Sequence, residues 1–188
     1  MDKIYALEEE LRTLLYEQQS QFSYTIAGKR VEFEQNIRDA HKKLKTSSFY
    51  WLLTSNPRHL ISAPFIYGLI FPLLVFDLGV SFYQSVCFRL YGITLVKRSQ
   101  HIIFDHQHLA YLNFFEKLNC LYCSYAGGLI SYAREIASRT ETYWCPIKHA
   151  HKMLDSHHRY ASFLDYGNAE NYKKNINNIR SNLKNEQG

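Results

Sequence analysis

Apolar positions recur every three to four residues from the start of the chain. Ile4, Leu7, Leu11, Leu14 and Leu15 fall on one stripe with Glu8, Glu9 and Glu10 among them, which predicts an amphipathic helix over residues 2–19 whose stripe needs a partner. Residues 22–28 read as a brief extended connection ended by Gly28. A second helix is expected from Arg30 to Lys45, carrying Val31, Phe33, Ile37 and Leu44 among basic residues that suit solvent or anionic headgroups. Residues 1–58 thus form a helical N-terminal arm, the surface expected to meet a protein partner.

After the aromatic run Phe49-Tyr50-Trp51, whose Trp51 is of the kind that anchors at a membrane interface, comes the most apolar part of the chain, Leu60 to Val96. Its only formal charges are Asp77 and Arg89. Asp77-Leu78-Gly79 divides it into arms of seventeen residues, Leu60 to Phe76 and Val80 to Val96. Each arm as a straight helix reaches about 25 Å, near the short limit for a hydrocarbon core of about 30 Å. Lys42, Lys43, Lys45 and Arg58 precede the segment and Lys97 and Arg98 follow it. Positive charge at both ends favours an even number of crossings, or none, with the flanks on the cytoplasmic side. The expected anchor, residues 59–98, is a helical hairpin with Asp77 at its tip or a re-entrant wedge bent at Pro64 and Pro72. The second arm, with Ser81, Gln84, Ser85 and Arg89, also suits a position along the interface. A buried helical pair in a soluble core is the alternative, and Cys87 reads as a packing residue in either case.

Residues 99–106 read as extended, followed by a helix from His108 to Ala126. On it Leu109, Asn113, Glu116, Cys120, Cys123 and Gly127 share one stripe, and Tyr111, Phe115, Leu118, Tyr122 and Tyr125 lie opposite. Gly127-Gly128 is expected to kink or end this helix. Another runs from Leu129 to Thr142, and a last one starts at Cys145-Pro146 and stops at Gly167-Asn168. Residues 99–168 therefore form a helical domain, and 169–188 a polar tail, loosely helical or disordered. The fold class expected is all-α.

Composition adds little to this picture. The chain has 188 residues, fifteen Tyr and twelve Phe, and a formal charge of +5 with no basic run interleaved with aromatics, so nucleic-acid binding is not expected. Four cysteines do not make a disulfide framework at this length. The acidic N-terminus lacks the basic start and apolar run of a cleavable signal.

Candidate chemistry changes more. Cys120-Leu-Tyr-Cys123 and Cys145-Pro-Ile-Lys-His149 are two ligand pairs, and on adjacent helices they would close a tetrahedral Cys3His site suited to zinc, with iron or an iron–sulfur cluster as the alternative. Glu116 and Asn113, on the cysteine stripe, are the groups expected to support a ligand through hydrogen bonds. Buried packing cysteines or a redox dithiol remain the other readings. His106, His108, His151, His157 and His158 with Asp105, Glu116, Glu135 and Glu141 lack the Glu-x-x-His motif of a two-iron bundle. Phosphate loops, dinucleotide fingerprints, Gly-x-Ser-x-Gly and His-Glu-x-x-His are absent from the sequence. With Asn119-Cys120-Leu-Tyr-Cys123 and Tyr143-Trp-Cys145-Pro-Ile-Lys-His149, residues 60–165 resemble a group of uncharacterised bacterial membrane-associated proteins. The resemblance implies a bacterial inner-membrane location and no particular activity. The expected function is a metal-binding protein at the cytoplasmic face, lipid being its partner, in a structural or interaction role. The alternative is a metal- or dithiol-dependent redox or hydrolytic enzyme acting on a lipid-soluble substrate.

Overall fold

The computed structural model describes residues 35–185, the paired strands at 24–27 and 30–33, and six upstream positions, Leu7, Glu10, Leu11, Thr13, Leu14 and Glu17, which are helical and exposed. Ile4 and Leu15 of the expected first stripe, and Gly28, lie outside the described residues. Among the described residues the fold is all-α apart from one antiparallel hairpin. In it β1 (Tyr24–Ala27) pairs with β2 (Arg30–Phe33), Tyr24 opposite Phe33 and Ala27 opposite Arg30. The helix expected from Arg30 is corrected accordingly: its first four residues are β2, and α1 is Gln35–Lys43.

The described helices continue with α2 (Ser48–Thr54), α3 (Pro57–Gly68), α4 (Ile70–Tyr83), a π-helical turn at Gln84–Phe88, α5 (Arg89–Tyr91), α6 (Arg98–His101), α7 (Phe114–Trp144) and α8 (Ala169–Asn185). Short 3-10 turns lie at His106–His108 and His158–Ser162. Two compact units divide the chain: residues 1–61 with 104–121, and residues 62–103 with 122–188.

The first unit contains the β-hairpin, α1, α2 and the start of α7. Its contacts are aromatic: the rings of Trp51 and Phe115 stack at 5.7 Å, and His41 meets the edge of Tyr111 at 5.2 Å. Here α7 begins at Phe114, because Asn113 and Glu116 cap it reciprocally. The Glu116 N–H donates to Asn113 Oδ1 at 3.0 Å and the Asn113 N–H to Glu116 Oε2 at 2.8 Å, a capping box that satisfies two backbone donors at the helix start.

The second unit holds the apolar segment from Ser62 onward. The helix that carries it, α3, starts at residues of the first unit, where Asn56 accepts the Arg58 N–H at 3.0 Å and Pro57 takes the first helical position. Helical structure then runs from Pro57 to Tyr91, with a mean hydropathy of 2.0 in its most apolar window. The hairpin with Asp77 at its tip is corrected: α4 continues through Asp77, Leu78 and Gly79. The interruption comes earlier, at Leu69. Pro72 has no N–H for the Gly68 carbonyl, and Leu69 N–H turns back to Ile66 O at 3.2 Å. The second arm ends at Tyr91, not Val96. Gly92 takes φ 68°, and the Ile93 N–H reaches Phe88 O at 2.8 Å, the left-handed glycine stop in which the two apolar flanking residues also meet.

From there the chain turns back, and Ile93, Val96 and Ile102 join Phe88, Leu183 and the α7 residues Tyr125, Leu129, Tyr132 and Ile136 in one core. The α7 members recur at helical spacing, as one buried stripe must. The expected break at Gly127-Gly128 does not occur, and α7 is one helix of 31 residues. After it, residues 145–157 are irregular where a helix was expected, and the polar tail forms α8, with Leu183 only 2% exposed.

Candidate functional site

An unbroken α7 decides the fate of the cysteine site. Cys120 and Cys123 sit near its N-terminal end and Cys145 directly follows its last residue. Cys145 follows Cys123 by twenty-two positions along the helix, about 33 Å at 1.5 Å per residue. Cys145-Pro146 ends this helix, since proline drives the preceding residue towards extended backbone. His149 lies in the irregular stretch beyond, its ring stacked on Tyr160 at 6.3 Å and its N–H donating to the Tyr160 hydroxyl at 2.7 Å. The donors of the expected Cys3His site thus do not converge within one chain, and they do not fit a zinc ion or an iron centre there. All four cysteines are free thiols, and among the described residues no group of three or more His, Cys, Asp or Glu is placed to hold a metal. Asn113 and Glu116 cap the helix rather than support a ligand. Of the carboxylates and histidines considered for two irons, Glu135 is engaged by arginines and Glu141 by His157.

Polar chemistry gathers instead along the covered side of the apolar helix. Asp77, Ser81 and Gln84 follow one another at helical spacing on that side. The Arg98 guanidinium donates to both Asp77 oxygens, at 2.7 and 3.4 Å, the Tyr125 hydroxyl donates to Oδ2 at 3.0 Å and the Ser81 hydroxyl to Oδ1 at 3.3 Å. Gln84 is 6% exposed. Its Oε1 accepts the Val96 N–H at 3.0 Å, and its amide donates to Val96 O at 3.4 Å and to the Tyr132 hydroxyl. The residues Asp77 to Gln84 are therefore a clamp that holds the returning segment, residues 93–98, and α7 against the apolar helix.

The opposite side is the inverse. Phe71, Val75, Leu78, Phe82 and Leu90 are 71, 71, 73, 74 and 76% exposed. This helix turns its polar stripe to protein and its large apolar side chains outward, the reverse of a helix on a water-soluble domain. The sequence carried that signal in the spacing of Asp77, Ser81 and Gln84, which an average hydropathy conceals.

A second network pins the stretch after α7. Glu135 lies between Arg139 and Arg159 at 2.8 and 2.9 Å, and Arg139 also donates to Thr94 O at 2.6 Å. Beside it, His157 Nδ1 meets Ser138 Oγ at 3.1 Å and Nε2 meets Glu141 Oε2 at 3.0 Å. The order serine, histidine, carboxylate is that of a nucleophilic relay. Its serine, however, is 2% exposed, and Arg159 donates to the same oxygen at 3.1 Å, so no substrate reaches it. The relay is a fastening between α7 and the irregular stretch.

Asp77→Asn tests the clamp. Losing the charged partner of Arg98 lowers stability by about 1.5–3 kcal/mol, against about 1 kcal/mol for Ser81→Ala, both read as shifts in thermal unfolding in mild detergent. Comparison with protein-family models, with curated proteins and with solved structures gives no match.

Proposed function

We propose that this is a membrane-associated protein with a structural or interaction role, held at the cytoplasmic face by the outward side of Pro57–Tyr91. The single observation that carries the reading is the inverted helix: its polar stripe is consumed by protein and its exposed stripe is Phe71, Val75, Leu78, Phe82 and Leu90. Lipid is the partner that satisfies such a stripe without demanding hydrogen bonds. Five large apolar side chains at about 2 kcal/mol each amount to about 10 kcal/mol of transfer free energy, well beyond the marginal binding of a single acyl chain.

The mode that follows is insertion into one leaflet rather than a lone crossing. From Asp77 to Phe88 the helix is covered along one side by protein, and lipid cannot surround it there. Positive residues at both ends, Arg58 before and Lys97 and Arg98 after, support entry and exit on the same, cytoplasmic side. In bacteria, as the sequence resemblance implies, that membrane is the inner one. Metal binding is not part of this reading, since the four donors are dispersed.

Leu78→Glu/Phe82→Glu is the test. The expected result is a protein recovered in the aqueous fraction after carbonate washing, with unchanged helical circular dichroism, whereas the parent stays with the membrane. A parent that is aqueous and dimeric instead would assign the stripe to a second copy and overturn the reading.

A further inference from the structure

We propose that the outer face of α8 docks on anionic lipid headgroups where the apolar helix ends; this rests on the membrane reading and adds its lipid class. The inner stripe of α8 is Tyr172, Ile176, Ile179 and Leu183, from half-buried to buried. Arg180 is also turned to the protein, its Nε donating to Tyr143 O at 2.9 Å and its guanidinium lying 4.9 Å over the Tyr143 ring. Lys173, Lys174 and Lys184 occupy exposed positions, and Glu170 is the one acidic residue of the helix. Among the described residues no ion pair engages these three lysines, so their charge is available to a partner.

Placement gives that charge a purpose. The Lys184 side chain lies over Gly92, with Cδ, Cε and Nζ 3.7–3.8 Å from where a Cβ on that glycine would stand. Its cation therefore sits at the C-terminal end of the apolar helix, where the carbonyl ends favour positive charge. Arg89 is exposed in the last turn of the same helix, beside Leu90, which is 76% exposed. Within one turn the outward surface changes from apolar to cationic, the order met on passing from acyl chains to headgroup phosphates. A nucleic acid would find no exposed aromatic ring on α8 to stack on. Each lysine near an anionic surface adds about 1 kcal/mol.

The experiment uses the full chain, transferred from detergent into a mixture of neutral phosphatidylcholine vesicles and phosphatidylglycerol-containing vesicles of different density, and reads how it distributes between them. The parent concentrates in the anionic population. In Lys173→Gln/Lys174→Gln/Lys184→Gln the distribution ratio falls roughly 100-fold, from about 1 kcal/mol per lysine, whereas Lys152→Gln leaves it near the parent's. Raising salt from 0.1 M to about 1 M, which shortens the screening length from about 10 to 3 Å, abolishes the preference. An even distribution of the parent, or a triple variant that sorts like the parent, overturns the proposal and leaves the membrane reading standing. Protein found in neither population overturns both.

Discussion

Glu135→Ala is expected to remove about 3–5 kcal/mol of stability, the cost of breaking a buried ion pair. Glu135 is the shared partner of two guanidinium groups, and the side chains of Arg139 and Arg159 are each 8% exposed and its own 17%. Without the carboxylate two cations stay buried, facing neutral acceptors such as Thr94 O and Ser138 Oγ. The loss therefore exceeds that of any exposed pair, such as Lys42 with Asp39, where about 0–1 kcal/mol is at stake. Urea unfolding of both variants measures the contrast, and a Glu135→Ala shift below about 1 kcal/mol would show that the cluster is solvated.

Acid should act on the same cluster. Burial pushes the Glu135 carboxyl up, but hydrogen bonds from Arg159 and then Arg139 outweigh it, and its pKa lies below the ordinary carboxylate value. A group whose pKa is depressed by folding stabilises above its unfolded pKa, and that contribution disappears as pH falls through the folded value. The parent accordingly loses this stabilisation below the ordinary carboxylate range. In Glu135→Gln that part of the acid dependence is gone.

Gly128→Ala is the second large effect and has a built-in control. A Cβ at Gly128 would lie 2.7 Å from the His101 carbonyl oxygen and 2.9 Å from Ile102 Cα. Both are backbone atoms in a packed core, so α7 and the returning segment must separate, at a cost of about 1–3 kcal/mol or more. One residue earlier, a Cβ at Gly127 would meet nothing within 4 Å. Gly127→Ala should therefore gain about 0.8–1.0 kcal/mol from helix propensity alone. Adjacent glycines thus give opposite shifts in thermal midpoint.

That pair also explains what the sequence could and could not reveal. Gly127-Gly128 reads as a break because propensity is a local quantity, whereas Gly128 is present for a close approach by Ile102, a residue 26 positions away. The candidate metal site depended on that break. With a bend there, the two ligand pairs could meet; with a continuous helix, the same spacing sets them at opposite ends of a rod. Asp77 misled in a similar way, since a charge in an apolar run looks like a turn until Arg98, Tyr125 and Ser81 are seen around it. β2 was misread because Val31 and Phe33 suit either period and the pairing partner is another strand. What was legible was the helical class, the apolar stretch and its positive flanks. The capping box Asn113-x-x-Glu116 went unread: both residues look like support for a metal ligand if the helix starts at His108, whereas they mark a start at Phe114.

Leu183 closes the core around Phe88 and Ile93, and this sets an order in time. The apolar helix ends at Tyr91, so 92 further residues must be synthesised before its last cover exists. At about 5–20 residues per second the segment waits roughly 5–20 s for the lid that completes it. During that interval residues 93–102 and then α7 can cover its inward side, but the outward side is bare and the core lacks Leu183, so a chain that is still incomplete already carries an exposed apolar surface open to aggregation.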